Sequence, residues 1–144
     1  MTNFMKIALS EAQKARDLDE VPVGAVIVRD GVVIASGYNL RESEKDATMH
    51  AEIVAIKQAC RELGDWRLEG CDIYVTLEPC PMCMGAILNS RISRVYYGAY
   101  DHRGGACGSK YDLRSGYNHT PEVTGGVYNE QCAEILSDYF REKR

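Results

Sequence analysis

The sequence predicts an α/β domain: a mixed sheet with helices on both faces. Three observations lead there. Short β-branched runs at 22–28, 32–37, 71–77 and 92–97 have strand length and composition, while apolar residues at 4–16, 49–63 and from 129 onward recur at helical spacing. The resulting order is α-β-β-α-β-α-β, then a short strand and a helix; strands separated by helices favour parallel pairing in a layered domain. Asp30-Gly31 joins the first two strands by a two-residue turn, so that pair must be antiparallel.

Each element has a local cause. Met5, Ala8, Leu9 and Ala12 fall on one stripe of a first helix, with Thr2 or Asn3 as its N-cap. Asp17 to Glu20 is a polar break. Pro22 to Val28 reads as a buried strand, and Val32 to Gly37 returns beside it. Residues 38–49 are polar and irregular, hence a loop. Thr48 is placed to cap the helix over 49–63, whose Ile53, Ile56, Cys60 and Leu63 share a face and which Gly64 stops. Cys71 to Leu77 alternates as a third strand. Pro81 suits the first turn of a helix over about 81–90. Ile92 to Tyr97 gives a fourth strand. Residues 98–119 are Gly-rich and predict a loop with a short helix, and Glu122-Val123 predicts a short strand. Asn129 is placed to cap a last helix, where Cys132, Ile135, Leu136, Tyr139 and Phe140 recur with helical period.

The bulk composition narrows the classes. The 144 residues fit one domain, 1–144, with a single core. No run of eighteen apolar residues occurs, so no membrane span is expected. Met1 to Lys6 lacks a basic-then-apolar leader, which makes the cytoplasm the expected compartment. Six cysteines in such a setting read as free thiols or metal ligands rather than disulfides. Cys60, Cys71, Cys107 and Cys132 share no motif and are expected to be small buried hydrophobes. The net charge of −4 weighs slightly against a nucleic-acid partner. The charge is uneven, with 9 basic and 14 acidic side chains in residues 1–88 but 8 and 7 in residues 89–144. A local basic surface is compatible with this, and so are ordinary solvated charges.

The chemistry lies in His50-Ala51-Glu52 and in Thr76-Leu77-Glu78-Pro79-Cys80-Pro81-Met82-Cys83. Cys80 and Cys83 open a helix after a strand and can share one ion. Helix N-termini favour thiolate, the form that binds metal. His50, thirty positions before Cys80, completes three ligands. Glu52 cannot project with His50 along a regular helix, so it approaches the open metal position from the side, as a proton carrier. Three ligands, a position left for water and a free carboxylate form the inventory of a catalytic zinc site. Each part alone has a plainer reading: Cys-x-x-Cys as a redox pair or zinc knuckle, His-Ala-Glu as capping and surface charge, Glu78 as merely polar. Together, His-x-Glu, 26 residues, then Pro-Cys-x-x-Cys is the signature of zinc deaminases.

At these residues the chain resembles the cytidine-deaminase superfamily, and within it the bacterial tRNA-specific adenosine deaminases. The resemblance covers nearly the whole chain. It is carried by Glu20 to Val28, Asn39, His50 to Ile53, Tyr74 to Cys83, Gly85 to Ile87, Ser90 to Ile92, Asp101, Gly108-Ser109, Asn118-His119 and Leu136 to Arg141. It implies the three-layer α/β/α cytidine-deaminase-like fold on a five-stranded mixed sheet. It implies hydrolytic deamination of adenosine to inosine at the wobble position (34) of a tRNA anticodon stem-loop, by a homodimer with one Zn2+ per subunit. Zinc is then held by His50, Cys80 and Cys83, and Glu52 shuttles protons. By the same resemblance Asn39 hydrogen-bonds the base, the backbone near Ala51 holds the purine edge, Asp101 meets a ribose 2′-hydroxyl, and Asn118 and His119 touch the anticodon loop. From the residues alone Asn39 reads as a turn asparagine, Asp101 as a loop cap and His119 as structural. Arg141, Lys143 and Arg144 read either as a phosphate-steering end or as cations suited to a helix C-terminus.

The chain departs from the pattern in lacking a longer basic tail and in a slightly short stretch from Ser109 to Asn118. The runner-up is a deaminase of a free base or nucleoside, such as cytosine, guanine or cytidine, on the same zinc and Glu52. A non-catalytic zinc module would normally fill all four positions with protein ligands. A thiol oxidoreductase on Cys80 and Cys83 would act without metal.

Overall fold

The computed structural model describes residues 3–115 and 119–143. Five strands form one sheet in the order β2-β1-β3-β4-β5: β1 is Gly24–Arg29, β2 Val32–Tyr38, β3 Cys71–Leu77, β4 Arg94–Ala99 and β5 Glu122–Thr124. The hairpin at Asp30-Gly31 makes β1 and β2 antiparallel, as expected, with an irregularity between Ile27 and Val28. β1 also runs antiparallel to β3, whereas β3–β4 and β4–β5 are parallel. The mixed sheet follows from these connections. α3 (Pro81–Asn89) carries the chain from β3 back to begin β4 in the same direction, as a helical crossover does.

Helices cover both faces. β1 alternates strictly: Ala25 and Ile27 face the core under α2 (Ala51–Leu63) and α3, while Val26 and Val28 face α1 (Phe4–Asp17) and α4 (Asn129–Glu142). The first core adds Ala55, Ala59, Ile73, Val75, Met84 and Ile87. The second gathers Met5, Ala8 and Cys132. Small residues bring the helices down onto the strands. A Cβ on Gly37 would lie 2.7 Å from the Ala51 carbonyl oxygen and 2.8 Å from the Ala55 nitrogen, so the start of α2 rests flush on β2.

Helix ends explain the departures from the sequence reading. Asn3 caps α1, its side chain accepting from the Lys6 N–H. The alternative cap, Thr2, lies outside the described residues. Thr48 does not cap α2. Its hydroxyl and N–H go to Asp46 instead, so the chain stays extended through His50, which takes the N-cap position (φ −72°, ψ 157°). Gly64 ends α2 in the left-handed region, donating to the Cys60 carbonyl. Tyr128 rather than Asn129 precedes the first turn of α4. The fourth strand runs two residues later than predicted, because Ile92 and Ser93 close the turn out of α3. No helix forms between 98 and 119 among the described residues; turns and one bridge, Cys107 to Asp112, take its place. Cys71, Cys107 and Cys132 are buried as expected, but Cys60 is only half-buried beside the Trp66 carbonyl. Phe140, assigned to the apolar stripe of α4, is exposed.

Candidate metal centre and active site

Two helix starts build the centre. His50 is the N-cap of α2 and Glu52 lies in its first turn. Cys80 is the N-cap of α3, Pro81 follows it, and Cys83 completes the turn. Both helices therefore aim their unpaired N–H groups and positive ends at one place. The His50 Nδ1 lies 3.6 Å from the Cys80 Sγ and 3.5 Å from the Cys83 Sγ. All three ligand atoms fall within 4.8 Å of one another. Tetrahedral zinc with bonds of about 2.3 Å to sulfur and about 2.0 Å to nitrogen sets nitrogen and sulfur roughly 3.5 Å apart, so both nitrogen–sulfur distances fit that ion.

The electrostatics show why a cation belongs there. The Cys80 thiol is lowered to about 4, first by the hydrogen bond from Cys83 and also by His50. Cys83 is driven the other way, because donating to Cys80 holds its proton and burial adds to this. His50 is raised by its hydrogen bond to Cys80. One sulfur thus ionises at the expense of the other. A dication between them lets both ionise, which is the state a metal requires.

Glu52 is fully buried beside this cluster. Burial pushes its carboxyl up to about 7, with the Cys80 charge adding to the effect. A carboxyl poised near neutrality and next to a three-ligand set can take up and release protons at working pH.

A cavity of about 220 Å3 opens onto the centre, smaller than the usual cleft for a drug-sized ligand and suited to one flat ring system. It is lined by His50, Ala51, Glu52 and Cys80 on the metal side. Asn39, Arg41, Glu42 and Asp101 also line it. Asn39 is buried, with its amide nitrogen 3.2 Å from the Val21 carbonyl and its amide oxygen accepting from the Arg41 N–H. Asp101 faces the cavity while its Oδ1 accepts from the Arg103 and Gly104 N–H groups. The turn-capping reading of both residues is therefore realised together with a place in the cavity wall.

The other expected contacts are not gathered here. A ring nitrogen of His119 lies 2.6 Å from the Ile92 carbonyl oxygen, at the start of β4, while the metal centre follows the far end of the neighbouring parallel strand. Asn118 lies outside the described residues, as does Arg144. Arg141 pairs with Asp138 and Lys143 with Asp19, so these two cations are engaged within the fold.

Sequence reasoning missed two buried carboxylates that shape the cavity. Glu20 accepts from the Glu42 N–H and from the Ser43 N–H and hydroxyl, fixing the loop that follows β2. Glu78 accepts from the N–H groups of Asp101, Cys107 and Ser109 and from the Ser109 hydroxyl. Burial alone would raise both carboxyls, but these hydrogen bonds outweigh it and leave each below its ordinary value. The clustered glycines of 104–108 are the one sequence hint of a tightly folded loop that needs an anchor.

With this geometry in hand, comparison with known proteins is decisive. Residues 1–99 match the family described as the cytidine and deoxycytidylate deaminase zinc-binding region. The chain belongs to this family. Among its relatives, the tRNA-specific adenosine deaminase of Bacillus subtilis (strain 168) is 50% identical over 143 residues, 98% of this chain and 89% of that one. A chain solved in studies of A-to-I editing by tRNA:A34 deaminases at the wobble position of transfer RNA is 50% identical, with a TM-score of 0.86 over 92% of this chain and 98% of that one. The guanine deaminase of Bacillus subtilis is 32% identical with a TM-score of 0.67, covering 99% of this chain and 95% of that one. The fold implied by the resemblance and the zinc dependence expected from the residues are those of the family.

Proposed function

We propose that this deaminase converts adenosine to inosine at the wobble position (34) of a tRNA anticodon. The observation that carries the chemistry is the buried Glu52 carboxyl beside the His50–Cys80–Cys83 cluster at the floor of a base-sized cavity. The choice of substrate is supported by relatives at 50% identity that are tRNA-specific adenosine deaminases.

His50, Cys80 and Cys83 would hold the zinc, which when bound supplies a water activated for attack. Glu52 takes the proton that the attacking water loses as its oxygen bonds to C6 of the purine. The same carboxyl then delivers protons to the ring nitrogen N1 and to the departing amine, so water and adenosine leave as inosine and ammonia. Burial of Glu52 suits this traffic, because a carboxyl held near neutrality gives and accepts protons with little bias. Asn39 and the Ala51 backbone orient the purine edge, and Asp101 meets a ribose 2′-hydroxyl beside it. A loop nucleotide suits the cavity because it is already partly unstacked, and extruding it from a duplex would cost a few kcal/mol more.

The working unit in this reading is a cytoplasmic homodimer with one zinc per subunit, checked by a solution mass twice the 16.1 kDa of one chain. A second reading, deamination of a free base, draws on the guanine deaminase relative. Incubating zinc-loaded protein with an adenosine-34 stem-loop, and separately with free guanine, cytosine and cytidine, separates the two. Inosine in the stem-loop supports the first reading. Ammonia from a free base, with the stem-loop unchanged, supports the second.

A further inference from the structure

Glu78 is 2% exposed and sits between the end of β3 and the metal-side Pro79-Cys80. A buried carboxylate is costly without compensation. No Lys or Arg forms an ion pair with it among the described residues. Its compensation comes instead from one loop. The Asp101, Cys107 and Ser109 N–H groups lie 3.0, 2.9 and 3.2 Å from its oxygens, and the Ser109 hydroxyl is a fourth donor. All four donors come from residues 101–109, a segment with no helix or named strand of its own.

The loop is fitted to the carboxyl from its own side as well. A Cβ on Gly105 would fall 2.4 Å from the Glu78 carboxyl carbon and 2.6 Å from the Asp101 carbonyl oxygen. Both neighbours are fixed, one by its four donors and the other by the backbone. The Ala106 N–H donates to the Pro79 carbonyl, tying the loop to the residue just before Cys80. One end of this loop, Asp101, lines the cavity, as does Glu78 itself.

We propose that Glu78 is a positioning residue. It moulds residues 101–109 against the metal segment, and through that loop it sets how the single-stranded RNA flanking the target nucleotide is held. The inference rests on the RNA reading above and deepens it. Glu78 touches no reacting atom in this account; its effect passes through the loop. The two residues that make the fit, Glu78 and Gly105, therefore act on one step, substrate engagement, and leave the metal to its three ligands.

The test compares wild type, Glu78→Gln and Gly105→Ala, all zinc-loaded, on an adenosine-34 stem-loop. Zinc per chain, apparent KM, kcat and amide exchange at 101–109 are measured. The Gln amide presents an N–H2 group to N–H donors, and the Ala methyl wedges the loop off the carboxyl. Both variants are expected to keep their zinc, to raise exchange within 101–109 above the rest of the chain, and to raise KM by about tenfold or more with a smaller change in kcat. Ser109→Ala, which removes only the hydroxyl donor, is expected to shift KM the same way by less, and it carries the test should Glu78→Gln not yield folded protein. An unchanged KM in variants of an active wild type overturns the proposal, as does zinc lost in proportion to activity. A wild-type chain that leaves the stem-loop unmodified overturns the RNA reading itself, and this inference with it.

Discussion

The two walls of the cavity are held in different ways. Each half of the metal wall is local, since His50 and Glu52 are two residues apart, Cys80 and Cys83 three, and each pair sits in the opening turn of a helix; the two halves meet across the 30 positions between His50 and Cys80. The loop wall is long-range: Glu20 binds Ser43 across 23 positions and Glu78 binds Ser109 across 31. The chemistry is thus set by two helix starts that packing brings together, and the shape of the opening by buried carboxylates reaching into loops. Loops held this way can vary in what they contact without disturbing the metal ligands, a division of labour common where binding residues sit on loops of a rigid scaffold.

That contrast is broken most forcefully on the metal wall. Cys83→Ala removes a candidate ligand from the cluster, and zinc content by metal analysis and turnover are both expected to vanish. Treating wild type with a chelator should reproduce the loss, and added zinc should reverse it; activity that persists after complete zinc removal contradicts the assignment. Next in size is Glu52→Ala. It leaves all three ligands in place, so zinc is retained while turnover falls by about 10²–10⁴-fold.

The loop wall predicts smaller effects of another kind. Glu20→Gln keeps zinc but leaves loop N–H groups facing an amide, costing about 1–3 kcal/mol in urea unfolding at pH 7. The sign of its pH dependence follows from its lowered carboxyl. A carboxyl lowered on folding contributes stability that is full above its unfolded value of about 4.3 and is lost as pH falls through its folded value. Wild type should therefore lose its advantage over Glu20→Gln as the pH drops below about 4. A gap that stays constant down to pH 3 would show that the ionised form is not what holds the loop. The smallest effect lies away from both walls. Asn3→Ala removes the cap of α1 and should cost about 1 kcal/mol, whereas Thr48→Ala, whose hydroxyl serves only Asp46, should cost less.

How far the sequence could be read follows the same division. Three helices, the hairpin and the strands declared themselves through period and turn chemistry, α3 through Pro81, and the candidate ligands through the His50-Ala51-Glu52 and Cys80–Cys83 motifs, because each of these patterns lies among near neighbours in the chain. Thr48 looked like a cap because it preceded the apolar face of α2. Asp46 competes for its hydroxyl, and the N-cap position falls to His50, a candidate ligand. A short helix expected between 98 and 119 gives way to a loop shaped by Glu78, and nothing near residue 101 in the chain announces a carboxylate 23 positions earlier. His119 read as a candidate RNA contact by resemblance, yet its ring is tied to Ile92 at the opposite end of the sheet from the cavity. For the 101–109 loop and for His119 the partner is distant in sequence and close only after folding, whereas Asp46 competes for Thr48 from only two residues away.

The most direct test of the central claim is inosine mapping at position 34 of an anticodon stem-loop, run side by side with zinc-loaded wild type and zinc-loaded Glu52→Ala. Wild type is expected to form inosine, and the variant only a trace despite an equal metal content. Equal inosine from both proteins would contradict that claim.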